Sequence, residues 1–206
     1  AFVGPTGGGK TTTASLIARL YDPDMGMVLL NGRDIRSFTS EERSEMIGFI
    51  LQEPFLFTGT VKENIIYGNK WLEGVTFEEL QEMISREGLD DLLVRFENGL
   101  ETKITNSGEL LSLGQKQLVA FMRAVLRKPA LLILDEATAN IDTVTEQQLE
   151  SILKRLPEST TKIIIAHRLN TIANADEIFF INTSGLIRAG SMENAIQLLM
   201  NSSRDS

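Results

Sequence analysis

The chain has 206 residues, of which 42% are hydrophobic, and its 20 basic and 28 acidic residues give a formal net charge of −8. This composition excludes wholesale disorder, and the acidic balance argues against the nucleic-acid backbone as the main partner. Cysteine is absent, which excludes disulfides and thiolate metal sites and fits the reducing cytosol. No apolar run approaches the ~20 residues of a helical membrane span.

The first elements predicted along the chain are a strand end, a glycine-rich loop and a helix over residues 11–21. A short strand is predicted over 27–30, and the Asn31-Gly32 pair after it is a hairpin signal. Another strand is predicted over 47–51. Because the first residue is Ala1 and only three residues precede the loop, we expect the chain to be a fragment of a longer protein.

Helical patterns dominate the middle of the chain, and strands return after it. Phe77, Leu80 and Ile84 recur on one face of a helix predicted over 76–86, and a second helix is predicted over 112–127. Strands over 131–134, 162–166 and 178–181 then alternate with helices over 143–156 and 193–200. This alternation predicts an α/β fold with a largely parallel sheet. We expect a core of residues 1–54 and 129–206 and an inserted helical subdomain at about 55–128.

The glycine-rich segment before the first helix fits the pattern G-x-x-x-x-G-K-[ST]. Glycines let the backbone wrap closely around phosphate oxygens, and a helix N-terminus offers unpaired N–H groups with partial positive charge. Lys10 would bridge the β- and γ-phosphates, and the Thr11 hydroxyl would ligate Mg²⁺. The predicted nucleotide-binding residues of this segment are Gly4, Pro5, Thr6, Gly7, Gly8, Gly9, Lys10, Thr11 and Thr12.

Two carboxylates, Asp135 and Glu136, follow the apolar strand predicted over 131–134. A buried parallel strand delivers its carboxyl end to the crevice where ligands bind. One carboxylate there can hold Mg²⁺, and the other can polarise the attacking water. We assign Asp135 to the metal and Glu136 to the general base. The alternative is that Asp135 only caps the next helix.

Six motifs in the family's order resemble the nucleotide-binding domain of ABC transporters. Residues 4–12 resemble Walker A, Gln52 the Q-loop, 111–115 the signature, 131–136 Walker B, 137–142 the D-loop and 166–169 the H-loop. The longer stretch 52–65 resembles the exporter branch in particular. The resemblance implies a single ABC ATPase domain over 1–206, with a P-loop NTPase (RecA-like) core, a largely parallel sheet and an inserted α-helical subdomain.

The resemblance also implies roles for single residues. The family works as a head-to-tail dimer in which each ATP lies between the Walker motifs of one domain and the signature of the other. Gln52 would contact Mg²⁺ and the attacking water, and His167 would contact the γ-phosphate, so that both join Lys10 and Glu136 in catalysis. The residues that would serve the opposite site are Ser112, Gly114 and Gln115.

Two of these residues also have simpler interpretations. His167 is the single histidine of the chain, and a lone histidine is often a surface or core residue satisfied by a neighbour. Its position just after the strand predicted over 162–166 favours the functional role. Ser112 at a helix start is an obvious N-cap, and this role is compatible with phosphate binding.

The function implied by the resemblance is ATP hydrolysis, with Mg²⁺, that drives export across a membrane. The partners would be a second nucleotide-binding domain and transmembrane domains that hold the chain at the cytoplasmic face of the cell membrane, without nucleic acid. One alternative is a soluble ABC ATPase of DNA repair, chromosome maintenance or translation, which predicts basic surfaces or long coiled-coil insertions. Another is a module that binds ATP without hydrolysing it, which an intact Glu136 and His167 oppose.

The sequence departs from the family pattern at the third signature position, where Leu113 replaces glycine. Glycine permits close backbone approach to the γ-phosphate of the opposite site, whereas leucine adds bulk and prefers negative φ. We therefore expect slow hydrolysis at that site. Leu113 favours a heterodimer whose partner has a normal signature and an altered Walker B glutamate, while a homodimer that tolerates the substitution remains open.

A second departure lies in the loop over residues 104–108, where exporters usually carry an acidic residue and this chain has Asn106. Asparagine keeps hydrogen bonding but loses the charge, which weakens the expectation that this loop couples to transmembrane helices. The aromatic residue that stacks on adenine in this family would lie before Ala1.

Overall fold

The computed structural model describes residues 1–105, 111–135, 141–165, 172 and 174–202. The chain divides into two compact units. The first comprises Ala1–Arg43, Ile133–Glu136 and Lys162–Ser206, and the second comprises Ser44–Leu132 and Ala137–Thr161. The predicted limits of the core and of the helical subdomain stay a prediction.

The strands of the first unit form a largely parallel sheet. They are β1 (Phe2–Val3), the end of β7 (Leu131–Asp135), β8 (Thr161–Ile165), β9 (Phe179–Asn182) and β10 (Gly185–Arg188), in the order β10-β9-β1-β8-β7. Strand β1 pairs in parallel with both β8 and β9, and β10 closes the edge as an antiparallel hairpin with β9. Val3 and Phe180 lie in a buried cluster that is completed by residues at and near helix α8 (Met192–Ser202). The predicted α/β fold is thus confirmed, although β10 was not predicted.

Helix α1 (Lys10–Ile17) is shorter than predicted because it ends in a Schellman motif. Arg19 takes a left-handed conformation with φ 53°, and its N–H donates to Leu16 O while Leu20 N donates to Ser15 O. An arginine rarely fills a position that glycine usually takes, so no local residue pattern marked this helix end.

The Asn31-Gly32 turn was predicted correctly. It joins β2 (Leu29–Leu30) to β3 (Arg33–Asp34) in an antiparallel hairpin, and both turn residues have positive φ, 52° and 77°. Two consecutive positive φ values are the mark of a type I′ turn, whose twist matches that of the strands. Helix α2 (Ser40–Met46) was not predicted, because none of its residues is buried and it therefore has no apolar periodicity.

The second unit contains most of the helices. They are α3 (Val61–Ile66), α4 (Phe77–Glu87), α5 (Asp90–Leu93), α6 (Leu113–Leu126) and α7 (Thr143–Arg155). Strand β4 (Ile47–Ile50) and α3 both pack against α6, and β5 (Gly59–Thr60) pairs with β6 (Lys103–Ile104). Helix α6 is the central element of this unit, with most of its side chains buried.

Capping boxes fix the starts of α4 and α6. In α4, Thr76 and Glu79 exchange side-chain to backbone hydrogen bonds, and Leu80 and Ile84 of the predicted apolar face are buried. The third residue of that predicted stripe, Phe77, is 36% exposed, with the Lys62 ammonium 5.7 Å from its ring centroid.

Among the described residues, no helix combines the length and the apolar character that a membrane crossing requires.

Candidate nucleotide-binding site

The phosphate loop of the first unit has a backbone that requires glycine. Gly4, Gly7 and Gly9 have φ values of 152°, 75° and 99°. A Cβ atom added to Gly4 would lie 1.9 Å from the carbonyl oxygen of Ile181, and one added to Gly8 would lie 2.8 Å from the same oxygen. The loop is therefore pressed against the end of β9, and glycine is what allows this close approach.

Lys10 is the first residue of α1 and is only 5% exposed. Its ammonium group donates to the carbonyl oxygens of Gly4 (3.0 Å) and Pro5 (2.9 Å). A buried cation must be surrounded by acceptors, and here the loop itself supplies two of them. The charge is consequently held within the curve of the loop, where a phosphate oxygen would be a further acceptor.

The structure brings Thr11 and Asp135 together, although 124 positions separate them in sequence. The Thr11 hydroxyl donates to Asp135 Oδ1 at 3.2 Å, and Asp135 is 3% exposed at the end of β7. This contact joins the phosphate loop to the acidic strand end. Thr11 and Thr12 remain exposed at the start of α1, as do Thr6 and Gly7 in the loop, so this face of the loop is open to solvent.

Gln52 belongs to the second unit and is exposed. Its backbone oxygen accepts a hydrogen bond from Gln117 Nε2 at 3.0 Å. Gln117 lies on α6 and is only 1% exposed. The Q-loop is thus tied to the signature helix, while the predicted contact of the Gln52 side chain with Mg²⁺ stays a prediction.

The signature segment forms the start of α6. Ser112 is the N-cap: its hydroxyl accepts from Gln115 N at 3.2 Å, and Gln115 Oε1 accepts from Ser112 N at 2.9 Å. Ser112, Gly114 and Gln115 line a polar cavity of about 390 Å³. The predicted capping role of Ser112 is therefore confirmed.

Leu113 is the first helical residue of α6. The non-glycine residues with positive φ in the described part of the chain are Arg19, Asn31 and Lys128, so Leu113 lies in backbone that leucine tolerates without strain. Any effect of this substitution on the opposite site must then come from the bulk of the side chain at the helix N-terminus.

Residues 1–139 match the family model described as ABC transporter. This match covers more than half of the chain. The chain belongs to the ABC transporter family.

Several relatives align with almost all of this ABC transporter chain. It is 45% identical over 197 residues to the uncharacterized ABC transporter ATP-binding protein YfiC of Bacillus subtilis, covering 96% of this chain and 32% of that protein. It is 41% identical to the mitochondrial ATP-binding cassette sub-family B member 10 of Mus musculus, covering 94% of this chain and 27% of that protein. The chain thus spans about a third of the length of these relatives.

A solved structure, that of a bacterial Atm1-family ABC exporter with ATP bound, superposes with a TM-score of 0.84 at 34% identity. The superposition covers all of this chain and 36% of that one. These similarities establish the fold expected from the motifs. They favour the exporter branch and give no support to a soluble ATPase of DNA repair, chromosome maintenance or translation.

Several predicted residues of this ABC transporter chain lie outside the described residues. They are Glu136, His167, Asn106 and residues 137–140 of the D-loop segment. Their assigned roles therefore stay predictions. The elements that precede Glu136 and His167, β7 and β8, are described and occur where the sequence predicted strands.

A hydrogen-bond network at the D-loop end of this ABC transporter chain was not predicted from the motifs. Asp142 is the N-cap of α7, and its carboxylate accepts from both the backbone N–H and the hydroxyl of Thr145. Aspartate is a preferred N-cap residue, and Asp142 stands directly before the helix predicted over 143–156. Arg95 completes the network from the segment after α5, and no sequence pattern marked it.

A groove of about 250 Å³ lies beside the Q-loop of the second unit, lined by Leu51, Phe55, Tyr67, Arg123 and Arg127 among others. Arg123 donates to Asn64 O and Arg127 to Tyr67 O. Burial, and then the nearby Arg127 charge, lower the pKa of Arg123 to about 10. The groove therefore combines exposed apolar surface with two partly buried cations.

Proposed function

We propose that this chain binds ATP and hydrolyses it to drive export across a membrane. The observation that carries the proposal is the contact of the Thr11 hydroxyl with Asp135, beside a buried Lys10 in a glycine-rich loop. Family membership supports the coupling to transport. So does a relative named as a probable multidrug resistance ABC transporter ATP-binding/permease protein, YheH of Bacillus subtilis, at 37% identity.

Phosphate binding would depend on the start of α1. Gly9 caps this helix without a side-chain hydrogen bond, and the first N–H groups of a helix favour a negatively charged ligand. The Lys10 ammonium lies at the same place and adds a full positive charge. Together they suit the β- and γ-phosphates of a nucleotide.

The residues beside the loop fit Mg²⁺. The Thr11 hydroxyl and the Asp135 carboxylate are hard oxygen donors in mutual contact, and Mg²⁺ is bound through few protein oxygens, together with water and phosphates. We propose the side-chain oxygen of Gln52 as a further donor. When bound, Mg²⁺ would neutralise part of the phosphate charge.

Sheet topology supports the roles proposed for Glu136 and His167. Strands β1 and β8 are parallel, so the carboxyl end of β8 lies at the edge of the sheet where β1 leads into the phosphate loop. His167 follows β8, and Glu136 directly follows Asp135 at the end of β7. In the proposed mechanism Glu136 accepts a proton from the attacking water, and His167 donates a hydrogen bond to the γ-phosphate.

The test uses the intact transporter that carries this domain. Glu136→Gln should lower ATP turnover by at least about a hundredfold, the usual contribution of a general base, while nucleotide binding is retained. Glu158→Gln is a matched control, because Glu158 is exposed and its side chain has no role in the proposal. Unchanged turnover in Glu136→Gln would remove it as the base, and a wild type without ATPase activity would refute the proposed function.

The proposed assembly is a head-to-tail dimer with a second nucleotide-binding domain. Ser112, Gly114 and Gln115 would face the ATP held by the partner. We propose that the partner is a different chain with a normal signature and an altered Walker B glutamate, because Leu113 adds bulk where the family has glycine. Mass spectrometry of the purified exporter tests this: two identical halves with two active sites would overturn the heterodimer.

We propose that the transmembrane domains dock in the groove beside the Q-loop. They would hold the chain at the cytoplasmic face of the membrane. Phe55 and Tyr67 are exposed there. Arg123 donates hydrogen bonds to the carbonyl and amide oxygens of Asn64, and Arg127 donates to the carbonyl oxygen of Tyr67. A cytoplasmic segment with apolar side chains and an acidic residue would match both features. Cross-linking from position 55 in the intact exporter should capture that segment, whereas capture from Met25, in the first unit, should not occur.

A further inference from the structure

Arg95 follows α5 in the second unit and contacts two helix starts at once. Its side chain points to α7, while its backbone carbonyl oxygen faces α6. It also lines the cavity of about 390 Å³ beside Ser112, Gly114 and Asp142. No motif includes this residue, so its contacts must be read from the structure.

The side chain of Arg95 completes the cap of α7. Its Nη2 atom donates to Thr145 Oγ1 at 2.7 Å and approaches Asp142 Oδ1 at 3.4 Å. The Asp142 carboxylate in turn accepts from Thr145 N at 3.1 Å and from Thr145 Oγ1 at 2.8 Å. An exposed ion pair alone contributes little to stability, so the value of this arrangement lies in the fixed geometry of the three groups.

The backbone of Arg95 fixes the start of α6. Its carbonyl oxygen accepts from Gln115 Nε2 at 2.7 Å. The Oε1 atom of the same Gln115 side chain accepts from Ser112 N in the capping box. Gln115 therefore uses both ends of its amide group, one on the signature start and the other on Arg95.

We propose that Arg95 is a positioning residue that holds the start of α6 in register with the start of α7. The inference rests on the proposed function, in which the start of α6 faces the nucleotide held by the partner, while α7 follows the D-loop segment of the same chain. A group that must meet a nucleotide on another chain has to be held at a constant position. Arg95 bonds to both helix starts, through different groups.

The test compares Arg95→Ala with Arg95→Lys in the intact transporter, with Arg86→Ala as the control. Arg86 is an exposed arginine in the last turn of α4. We expect Arg95→Ala to lower kcat about fivefold or more, the size of a typical coupling between sites. KM for ATP should change little, because the chain's own phosphate loop is untouched. The unfolding midpoint should also change little, because an exposed ion pair contributes little to stability. Arg95→Lys should restore part of kcat, and Arg86→Ala should match the wild type.

A double-mutant cycle separates this role from a structural one. Thr145→Val removes the hydroxyl that accepts from Arg95, so its effect on kcat should not add to that of Arg95→Ala. Hydrogen exchange should also quicken at the amides of both Thr145 and Gln115 in Arg95→Ala. Additive effects, or faster exchange at Thr145 alone, would overturn the proposal.

The outcome is distinguishable from failure of the proposed function. If the wild type hydrolyses ATP and Arg95→Ala turns over at the same rate, the positioning role is wrong and the ATPase assignment stands. If the wild type does not hydrolyse ATP while the exchange of Thr145 and Gln115 still quickens together, the link between the helices stands and its proposed purpose does not.

Discussion

Helices α1 and α6 differ in how their N-termini are capped. Both helices are predicted to present their N-termini to phosphate, yet α1 begins at a glycine without a side-chain cap, whereas α6 begins with a Ser112–Gln115 capping box. In α1 the N–H groups of the first turn and the Lys10 ammonium both favour a negatively charged ligand. In α6 the chain itself satisfies the N–H of Gln115, so this end is rigid before any nucleotide arrives. The difference suggests that α1 supplies affinity and α6 supplies a preformed surface.

The largest effect should come from adding a methyl group to the loop at Gly4. The new Cβ atom would meet Ile181 O at 1.9 Å, so Gly4→Ala should lower the free energy of unfolding by at least ~3 kcal/mol, as severe backbone strain and overpacking do. Gly7→Ala is the matched control: its φ is also positive but nothing lies within 4 Å, so about 1–2 kcal/mol is expected. Urea unfolding measures both, and equal losses would contradict the close approach to β9.

The second-largest effect concerns ATP affinity, which should depend on the start of α1 and not on the start of α6. Lys10→Ala should weaken ATP binding about ten- to a hundredfold, since a charge-assisted hydrogen bond contributes about 1.5–3 kcal/mol. Ser112→Ala should leave the chain's own ATP affinity unchanged and cost about 1 kcal/mol of stability through the lost cap. Calorimetric titration and thermal unfolding of both variants decide the point. Weaker binding in Ser112→Ala would mean that α6 serves its own chain's nucleotide.

A smaller effect is expected at Leu113, the residue that distinguishes this signature from the family pattern. Leu113→Gly should raise ATP turnover severalfold, by about the factor that 1 kcal/mol allows. Its helix start should become less stable by up to about 1 kcal/mol. Leu113→Ala separates the causes: because Leu113 has ordinary helical backbone, removing bulk alone should give most of the gain. A rise with glycine only would show that backbone approach matters instead.

The smallest effect is a pH dependence at the start of α7. Hydrogen bonds from Thr145, and then the Arg95 charge, lower the pKa of Asp142 below its ordinary value. A carboxylate whose folded pKa is lowered stabilises the fold above its unfolded pKa, near 4, and this stabilisation disappears as the pH falls through the folded pKa. Exchange protection at Thr145 should therefore decline below about pH 4 in the wild type. In Asp142→Asn the exchange protection at Thr145 should not change with pH. The same decline in both proteins would contradict the role of the Asp142 carboxylate in this cap.

Much of the fold and of the candidate site could be read from the sequence because the signals are local. The glycine pattern before Lys10 reflects the backbone of one loop, and the Asn31-Gly32 turn reflects two positive φ values. The cap at Ser112 likewise follows from a side chain three residues from its partner. By contrast α2 had no signal, since its residues are not buried, and the end of α1 was missed because an arginine occupies a glycine-like position.

The sequence by itself determined the chemistry of this protein: a phosphate loop, an acidic strand end and the other family motifs, each encoded within a few neighbouring residues. Only the tertiary structure decided which distant groups meet. The hydroxyl of Thr11 reaches Asp135 because strands far apart in sequence end at one edge of the sheet, and Arg95 reaches Thr145 and Gln115 because two helices begin beside one loop. Such contacts depend on how elements pack, which no short stretch of sequence specifies.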